Sequence, residues 1–530
     1  MIQLNMRSPR GRLGVFAVAI AVTAAIALAP TPAGLSLEGQ YAIATMAFAA
    51  ILWVTGALPL AVTALSIPVL LTGLGVFGSL DDALAPFADH LIFLFVAGFM
   101  LANALQKYDI DRRIALWIMA RLGSSPRKLI LAVMLATAFL SMWVSNTATS
   151  AMMTPIAVGV LAQVVGREDL AEAGDGDPTT NIQIATLLGT AYGASVGGVG
   201  TLIGTPPNAV VAGVLNDQLG YEIGFADWLL IGLPIVAVTL PIVWYVLTFR
   251  LFPPEVDDVS DAREEAREYL RQEGDLGARG RRVAYIFATT AGLWVLGGLG
   301  GPVWWLFETV GLGADTANVL HTTLFGGDGR TLFGAHGGYQ GLLYYVMVGL
   351  YAVPALVLAD TAEWEDLVDI DWGTILLFGG GLSLASAFAS SGATRWVAET
   401  VFDGLTGMPI VVVVAAVVLL VIFLTEMTSN TATATIIVPV LVSIGSVLAA
   451  TLGLAEESAA VFLSVSGAIA ASFAFALPVA TPPNAIVFGS GYLEQRDMMR
   501  AGVVLNLLMT AVLTGFIWLL FQFVWPTFLW

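Results

Sequence analysis

The sequence carries two nearly identical polar stretches, SNTATS at 145–150 and SNTATA at 429–434, each in the middle of a long apolar segment, 129–165 and 409–451. Two further stretches, GTPPNAV (204–210) and ATPPNAI (480–486), set adjacent prolines inside apolar segments, where an α-helix must break. A broken helix leaves free carbonyls on one half and free N–H groups on the other. Carbonyls joined by Ser, Thr and Asn oxygens form a hard, neutral cage suited to a cation such as Na⁺. Helix N-termini with hydroxyl and amide donors favour an anion. Two such sites facing each other would hold an elongated dianion, one carboxylate per tip. The competing explanation is that small polar residues only glue helices together. A lone SNT would suit it, but SNT and TPPN both recurring in the same order argue for a site.

These residues need elements that reach membrane depth. Of the 530 residues 58% are apolar and 11% charged, against roughly 25% charged in soluble domains. The chain therefore reads as an all-α polytopic membrane protein with about eleven transmembrane helices. It has no cysteine, hence no disulfide framework or thiolate metal site, and nothing in it suggests a nucleic-acid surface. The N-terminal part, 1–40, reads as a first transmembrane helix rather than a cleaved signal. Residues 41–250 form a first repeat, 251–282 a charged cytoplasmic linker, and 283–530 a second repeat. Three motif pairs support the duplication: 92–105 with 375–388, 145–155 with 429–439, and 204–210 with 480–486. Broken helices fall at 182–213 and 459–490.

Arginine outnumbers lysine 19 to 2. Placing the basic residues inside puts the N-terminus in the cytoplasm and the C-terminus outside, with the second repeat inverted relative to the first. Inverted repeats are an architecture of secondary transporters, with the site at the repeat interface. The segments 129–165 and 409–451 are each either two full spans with a tight turn or a re-entrant hairpin with its tip at mid-depth. Sidedness does not separate the two. Non-helical backbone at that depth is tolerated only where it lines a cavity.

The paired SNT and TPPN motifs, together with GAIAASFAFALPVATPPNAIVFGSG (467–491), resemble the divalent anion/sodium symporters, the family of sodium-coupled dicarboxylate and sulfate carriers. The resemblance extends over nearly the whole chain. It implies an elevator-type transporter, a homodimer, and two re-entrant hairpins ending in SNT. It also implies one sodium site at Ser141, Ser145, Asn146 and Gly204, and a second at Thr425, Ser429, Asn430 and Ala480. Substrate carboxylates would meet Asn146, Thr147 and Thr205 on one side, and Asn430, Thr431, Thr481 and Pro482 on the other. The sequence departs from the family in WVTGALP, where Gly56 stands at a position often held by glutamate.

No arginine or lysine lies near either tip, so Na⁺ must supply the charge that balances the dianion. Glu426, beside the second tip, reads as structural rather than as a proton relay. GASVG (193–197) fits the serine-hydrolase pattern around Ser195, but no strand precedes it. The histidines His90, His321 and His336 lie elsewhere in the chain. GVGTLIG (198–204) follows no strand either, and no Walker motif is present. The reading is a Na⁺-coupled symporter of small dianions in the plasma membrane, C4-dicarboxylates first, with no organic cofactor. A sulfate carrier and a dicarboxylate exchanger are the alternatives. Loop 300–338 receives no function.

Overall fold

The protein is described by a computed structural model over residues 9–122, 125–165, 180–256, 259–402 and 408–525. It is mostly helical. Among the described residues eight helices are long and apolar enough to cross a membrane. A ninth arises if Ala278–Gly297 and Gly300–Thr309, which meet at 77°, count as one span. The N-terminal helix Pro9–Leu28 is one of the eight. Its carbonyl end is closed by Gln40, a buried amide whose Nε2 donates to Ile26 O (2.6 Å) and Ala29 O (2.8 Å). Gly56 ends the next helix, Leu37–Thr55, in the left-handed conformation at φ 60°, with its N–H bonded to Leu52 O. A glutamate there would be strained, so the departure from the family pattern is a helix stop.

Among the described residues the expectation of an all-α chain fails at one place. Residues Gly327–Thr331 and Gly334–Tyr339 pair as a short antiparallel ribbon. Gly326 just before it and Gly327, Gly334 and Gly338 within its two strands all have positive φ. Such a sequence closes a hairpin more readily than it extends a helix.

The polar motifs sit on two sets of elements. Helix pair A joins Pro126–Ser141 to Asn146–Val165, and helix pair B joins Ile410–Met427 to Asn430–Leu452. Each second arm contains a proline, Pro155 or Pro439. Broken helix A runs Asn181–Gly198, then Pro206–Leu219; broken helix B runs Glu456–Ala470, then Pro482–Gly489. Pro126–Ser141 lies along Asn181–Gly198, and Asn430–Leu452 along Glu456–Ala470. Opposite them, Leu60–Gly73 and Trp372–Ser391 pack on each other as a wall.

The charged linker forms the helix Ser260–Gln272, which packs on Ile110–Leu122. Arg112 and Arg113 meet Glu273 at 3.2 and 3.6 Å, and Arg263 Nε donates to Ala120 O at 3.0 Å. Lys107 pairs with Asp366 at 2.5 Å and Arg279 with Asp360 at 2.6 Å. Lys107 holds the Asp366 carboxyl below the usual carboxylate range. These contacts gather much of the basic charge around the linker.

Candidate functional site

The two SNT tips and the two TPPN caps converge on one cavity of about 360 Å³. Its lining includes Ser145, Asn146, Thr147, Gly204 and Thr205 from the first set. Ser429, Asn430, Thr431, Thr481 and Pro482 come from the second. Ten of the thirteen predicted site residues are therefore brought to one space. Ser141 and Thr425 are fully buried and Ala480 nearly so; these three lie outside the lining. The far side of the cavity is the wall and the caps of its helices, with Pro59, Leu60, Asp371 and Thr374; Phe99 of the helix His90–Lys107 lines it as well. Asp371 is the one charged side chain among the lining residues.

Each tip is built from its own helix ends. Pair A turns through residues 142–145, and Ser145 Oγ accepts the Ala148 N–H at 3.2 Å, capping the second arm. In pair B, Ser429 Oγ accepts from Ala432 N at 3.1 Å. Serine at an N-cap supplies an orphan amide with an acceptor, which is why SNT starts a helix in both places. Behind the first tip, Ser141 Oγ hydrogen-bonds with Asn146 Oδ1 and lies 2.8 Å from Ala194 O. Behind the second, Thr425 Oγ1 lies 2.8 Å from Asn430 Oδ1 and 2.9 Å from Ala471 O. Each cluster holds a hydroxyl, an amide oxygen and a backbone carbonyl, with one hydroxyl proton shared among three oxygens. Such clusters are electron-rich and uncharged, which suits a hard cation.

The breaks are held by the asparagines of TPPN. Asn208 Nδ2 donates to Thr201 O (2.7 Å) and Gly198 O (3.0 Å). Asn484 Nδ2 donates to Leu477 O (3.0 Å) and Ala474 O (3.2 Å). Both satisfy carbonyls that the interrupted helix leaves without partners. The approach of break to tip is close: a Cβ on Gly198 would lie 2.4 Å from Asn146 Oδ1, and one on Gly204 2.4 Å from Gly198 O.

Glu426, read from the sequence as structural, is held by four hydrogen bonds. Its Oε1 accepts from Phe475 N (2.6 Å), Ala476 N (2.7 Å) and Asn506 Nδ2 (2.6 Å). Its Oε2 accepts from Leu477 N at 2.9 Å. Sequence reasoning missed the carbonyls of Ala194 and Ala471, the roles of Asn208 and Asn484, and the whole wall. For the asparagines the signal was available, since both are the repeated fourth residue of TPPN. The carbonyls carry no side-chain signature at all. Ser195 lies fully buried within the continuous helix Asn181–Gly198, so the nucleophile elbow that a serine hydrolase needs is absent there.

The family profile described as "Sodium:sulfate symporter transmembrane region" matches residues 12–529. An uncharacterized transporter of Haemophilus influenzae is 37% identical over 472 residues, 89% of each chain. The sodium-dependent dicarboxylate transporter SdcS of Staphylococcus saprophyticus is 33% identical, covering 91% of this chain and 86% of that one. SdcS of Staphylococcus aureus is 32% identical with the same coverage. Among solved structures, the YdaH transporter of Alcanivorax borkumensis aligns at a TM-score of 0.52 and 16% identity, over 83% of this chain and 86% of that one. MtrF of Neisseria gonorrhoeae aligns at 0.52 and 13%, over 96% and 93%. These two speak for the fold alone. A membrane-spanning helical chain with paired SNT and TPPN motifs, matched from end to end by one profile, belongs to the sodium:sulfate symporter family of transporters.

Proposed function

We propose that the protein carries small dianions, C4-dicarboxylates such as succinate, malate and fumarate, in symport with Na⁺. The observation that supports this most is the bifunctional placement of Asn146 and Asn430. Each lines the cavity, and each turns its Oδ1 toward an oxygen cluster behind it. The amide nitrogen, a donor, is then the end left for a substrate carboxylate. Na⁺ in the first cluster would meet Ser141, Ser145, Asn146 and Gly204, with the Ala194 carbonyl added. In the second it would meet Thr425, Ser429, Asn430 and Ala480, with the Ala471 carbonyl added. Thr147, Thr205, Thr431, Thr481 and the Pro482 helix start supply the remaining donors and dipoles for the anion.

The order of events follows from the electrostatics. Two neutral tips bind a dianion weakly until cations fill the clusters behind them, because an unpaired charge at this depth costs at least ~2.5 kcal/mol. Na⁺ would therefore precede the anion. A ligand with a carboxylate at each end engages both tips, whereas sulfate would engage one. The helix pairs and broken helices would move together across the wall Leu60–Gly73 and Trp372–Ser391, an elevator-type motion, within a homodimer. The N-terminus would lie in the cytoplasm and the C-terminus outside, with the linker end inward in the plasma membrane.

The test is uptake of radiolabelled succinate into proteoliposomes with an inward Na⁺ gradient, and again with K⁺ in place of Na⁺. Na⁺-dependent uptake competed by malate and fumarate, but not by sulfate, is the expected result. Sulfate uptake without succinate uptake would overturn the substrate while keeping the sites. Activity seen only from succinate-preloaded vesicles would make the protein an exchanger.

A further inference from the structure

We propose that Tyr192, Phe475 and Glu426 form a latch coupling the two cation clusters, so that a cation in one raises the affinity of the other; the inference rests on the reading that both clusters bind Na⁺. Tyr192 lies on broken helix A, two residues before Ala194, whose carbonyl belongs to the first cluster. Its hydroxyl crosses to the other half of the chain and donates to Phe475 O at 2.7 Å. The two rings lie 4.7 Å apart between centroids. Phe475 is in break B, between Ala471 and Thr481. Its N–H donates to Glu426 Oε1 at 2.6 Å, and Glu426 follows Thr425, the hydroxyl of the second cluster. One residue of the break is thus held from both sides, by its carbonyl to the first half and by its amide to the second.

The path is contiguous. Asn146 and Ser141 reach Ala194; about half a turn of helix reaches Tyr192; Tyr192 reaches Phe475; and Phe475 reaches Glu426, Thr425 and Asn430. Tyr192 and Phe475 are both fully buried, so water cannot replace the bond between them. If break B shifts, a buried hydroxyl and a buried carbonyl both lose their partner, which is costly. Break B is also the segment with most to gain from order: eleven residues, 471–481, against seven, 199–205, in break A. A cation drawing in the Ala471 carbonyl fixes the break, and with it Phe475 and Tyr192. That presents the Ala194 turn in its binding geometry for the second cation. Coupling of this kind is reciprocal, so the first cluster must act on the second by the same factor.

The experiment is Na⁺-dependent succinate uptake in proteoliposomes for the wild type and Tyr192→Phe. Tyr108→Phe is the control; it loses a comparable hydroxyl, bonded to Thr361 O at 2.6 Å, far from the clusters. Wild type and Tyr108→Phe are expected to share a sigmoidal Na⁺ dependence. In Tyr192→Phe the Hill coefficient should fall toward one and half-saturating Na⁺ should rise about fivefold, the factor that one hydrogen bond of about 1 kcal/mol supplies. A merely structural role for Tyr192 would lower the maximal rate and leave the Hill coefficient unchanged, and that result overturns the latch while the sodium sites stand. Wild-type uptake without Na⁺ dependence overturns the sites themselves. If Tyr192→Phe does not transport, the same two parameters are read from the rise of Tm with Na⁺ in detergent. A curve matching the wild type there also overturns the latch.

Discussion

The two halves of the site use the same oxygen triad but hold it in place differently. In the first, Ser141, Asn146 and the Ala194 carbonyl are backed by a seven-residue break, which Asn208 ties at Thr201 O and Thr201 ties to the tip by donating to Met142 O. In the second, Thr425, Asn430 and the Ala471 carbonyl are backed by an eleven-residue break tied by a buried carboxylate. Glu426 stands where the first half has Met142, the residue after the cluster hydroxyl. A longer unwound segment exposes more consecutive amides, and one carboxylate can accept several of them at once. The difference teaches that ligand chemistry at the tips is separable from the support behind it. The oxygen triad is the same in both halves, and the support behind it is not.

The sharpest way to test the equivalence of the tips is to remove each asparagine in turn. Asn146→Ala and Asn430→Ala should each reduce Na⁺-dependent succinate uptake on the order of 100-fold, as expected when a residue serving both a cation and its partner is lost. Both variants should still elute as folded protein on size exclusion, because neither asparagine holds a break. Wild-type uptake by one variant would show that the two tips are not equivalent.

Support should separate just as clearly, with a smaller effect on transport and a larger one on stability. Glu426→Met copies the first half's residue into the second. It leaves the amides of Phe475, Ala476 and Leu477 and the Asn506 side chain without their acceptor. Each buried donor left without its acceptor costs about 1–3 kcal/mol, so a large drop in Tm or failure to accumulate is expected. Met142→Leu, a swap of similar volume, should cost less than about 1.5 kcal/mol. Equal Tm values for the two variants would remove the distinction drawn between the breaks.

The threonines of TPPN offer a finer contrast. Thr481 Oγ1 accepts the Asn484 N–H at 3.1 Å, whereas Thr205 makes no side-chain cap. Thr481→Ala should therefore lower stability by about 1 kcal/mol, the usual worth of an N-cap, in addition to weakening substrate binding. Thr205→Ala should weaken binding with Tm nearly unchanged. The pair of Tm values against the pair of half-saturation constants for succinate decides it.

What was legible in the sequence was whatever repeats as side chains. Ser145, Asn146, Ser429 and Asn430 stood out because hydroxyls and amides inside apolar segments are costly unless they have work, and the two copies proved to share a cavity. The prolines of TPPN located both breaks to within a few residues, because a Pro-Pro pair is best placed in the first turn of a helix, where its missing N–H groups have no partner to lose. Ala194 and Ala471 were illegible, since a carbonyl ligand is a property of backbone path and any residue could supply it. The ribbon at 327–339 was missed because its glycines read equally well as loop. The wall was missed because it arises from segments far apart in the chain, Pro59–Ala61 and Asp371–Leu377, with no repeated motif to connect them.

The wall also sets up a contrast with the tips, and it carries the smallest effect. The tips facing the cavity are neutral, while the wall contributes Asp371, which caps the helix Trp372–Ser391 by accepting from Thr374 N (3.1 Å) and Thr374 Oγ1 (2.6 Å). An uncapped helix N-terminus facing this space would attract a dianion. With the carboxylate in place, the wall would repel a dianion in this cavity and leave its favourable contacts to the tips. Asp371→Asn keeps a capping oxygen and removes the charge. Asp371 is exposed, so solvent screens it, and half-saturating succinate should fall by only about twofold to fivefold. The change should shrink as salt is raised with an ion the clusters do not use, because screening acts on the charge and not on the cap. A half-saturation constant that rises in Asp371→Asn would mean the carboxylate attracts the loaded complex, through a cation held between it and the substrate. The wall would then be part of the binding site and not its passive boundary.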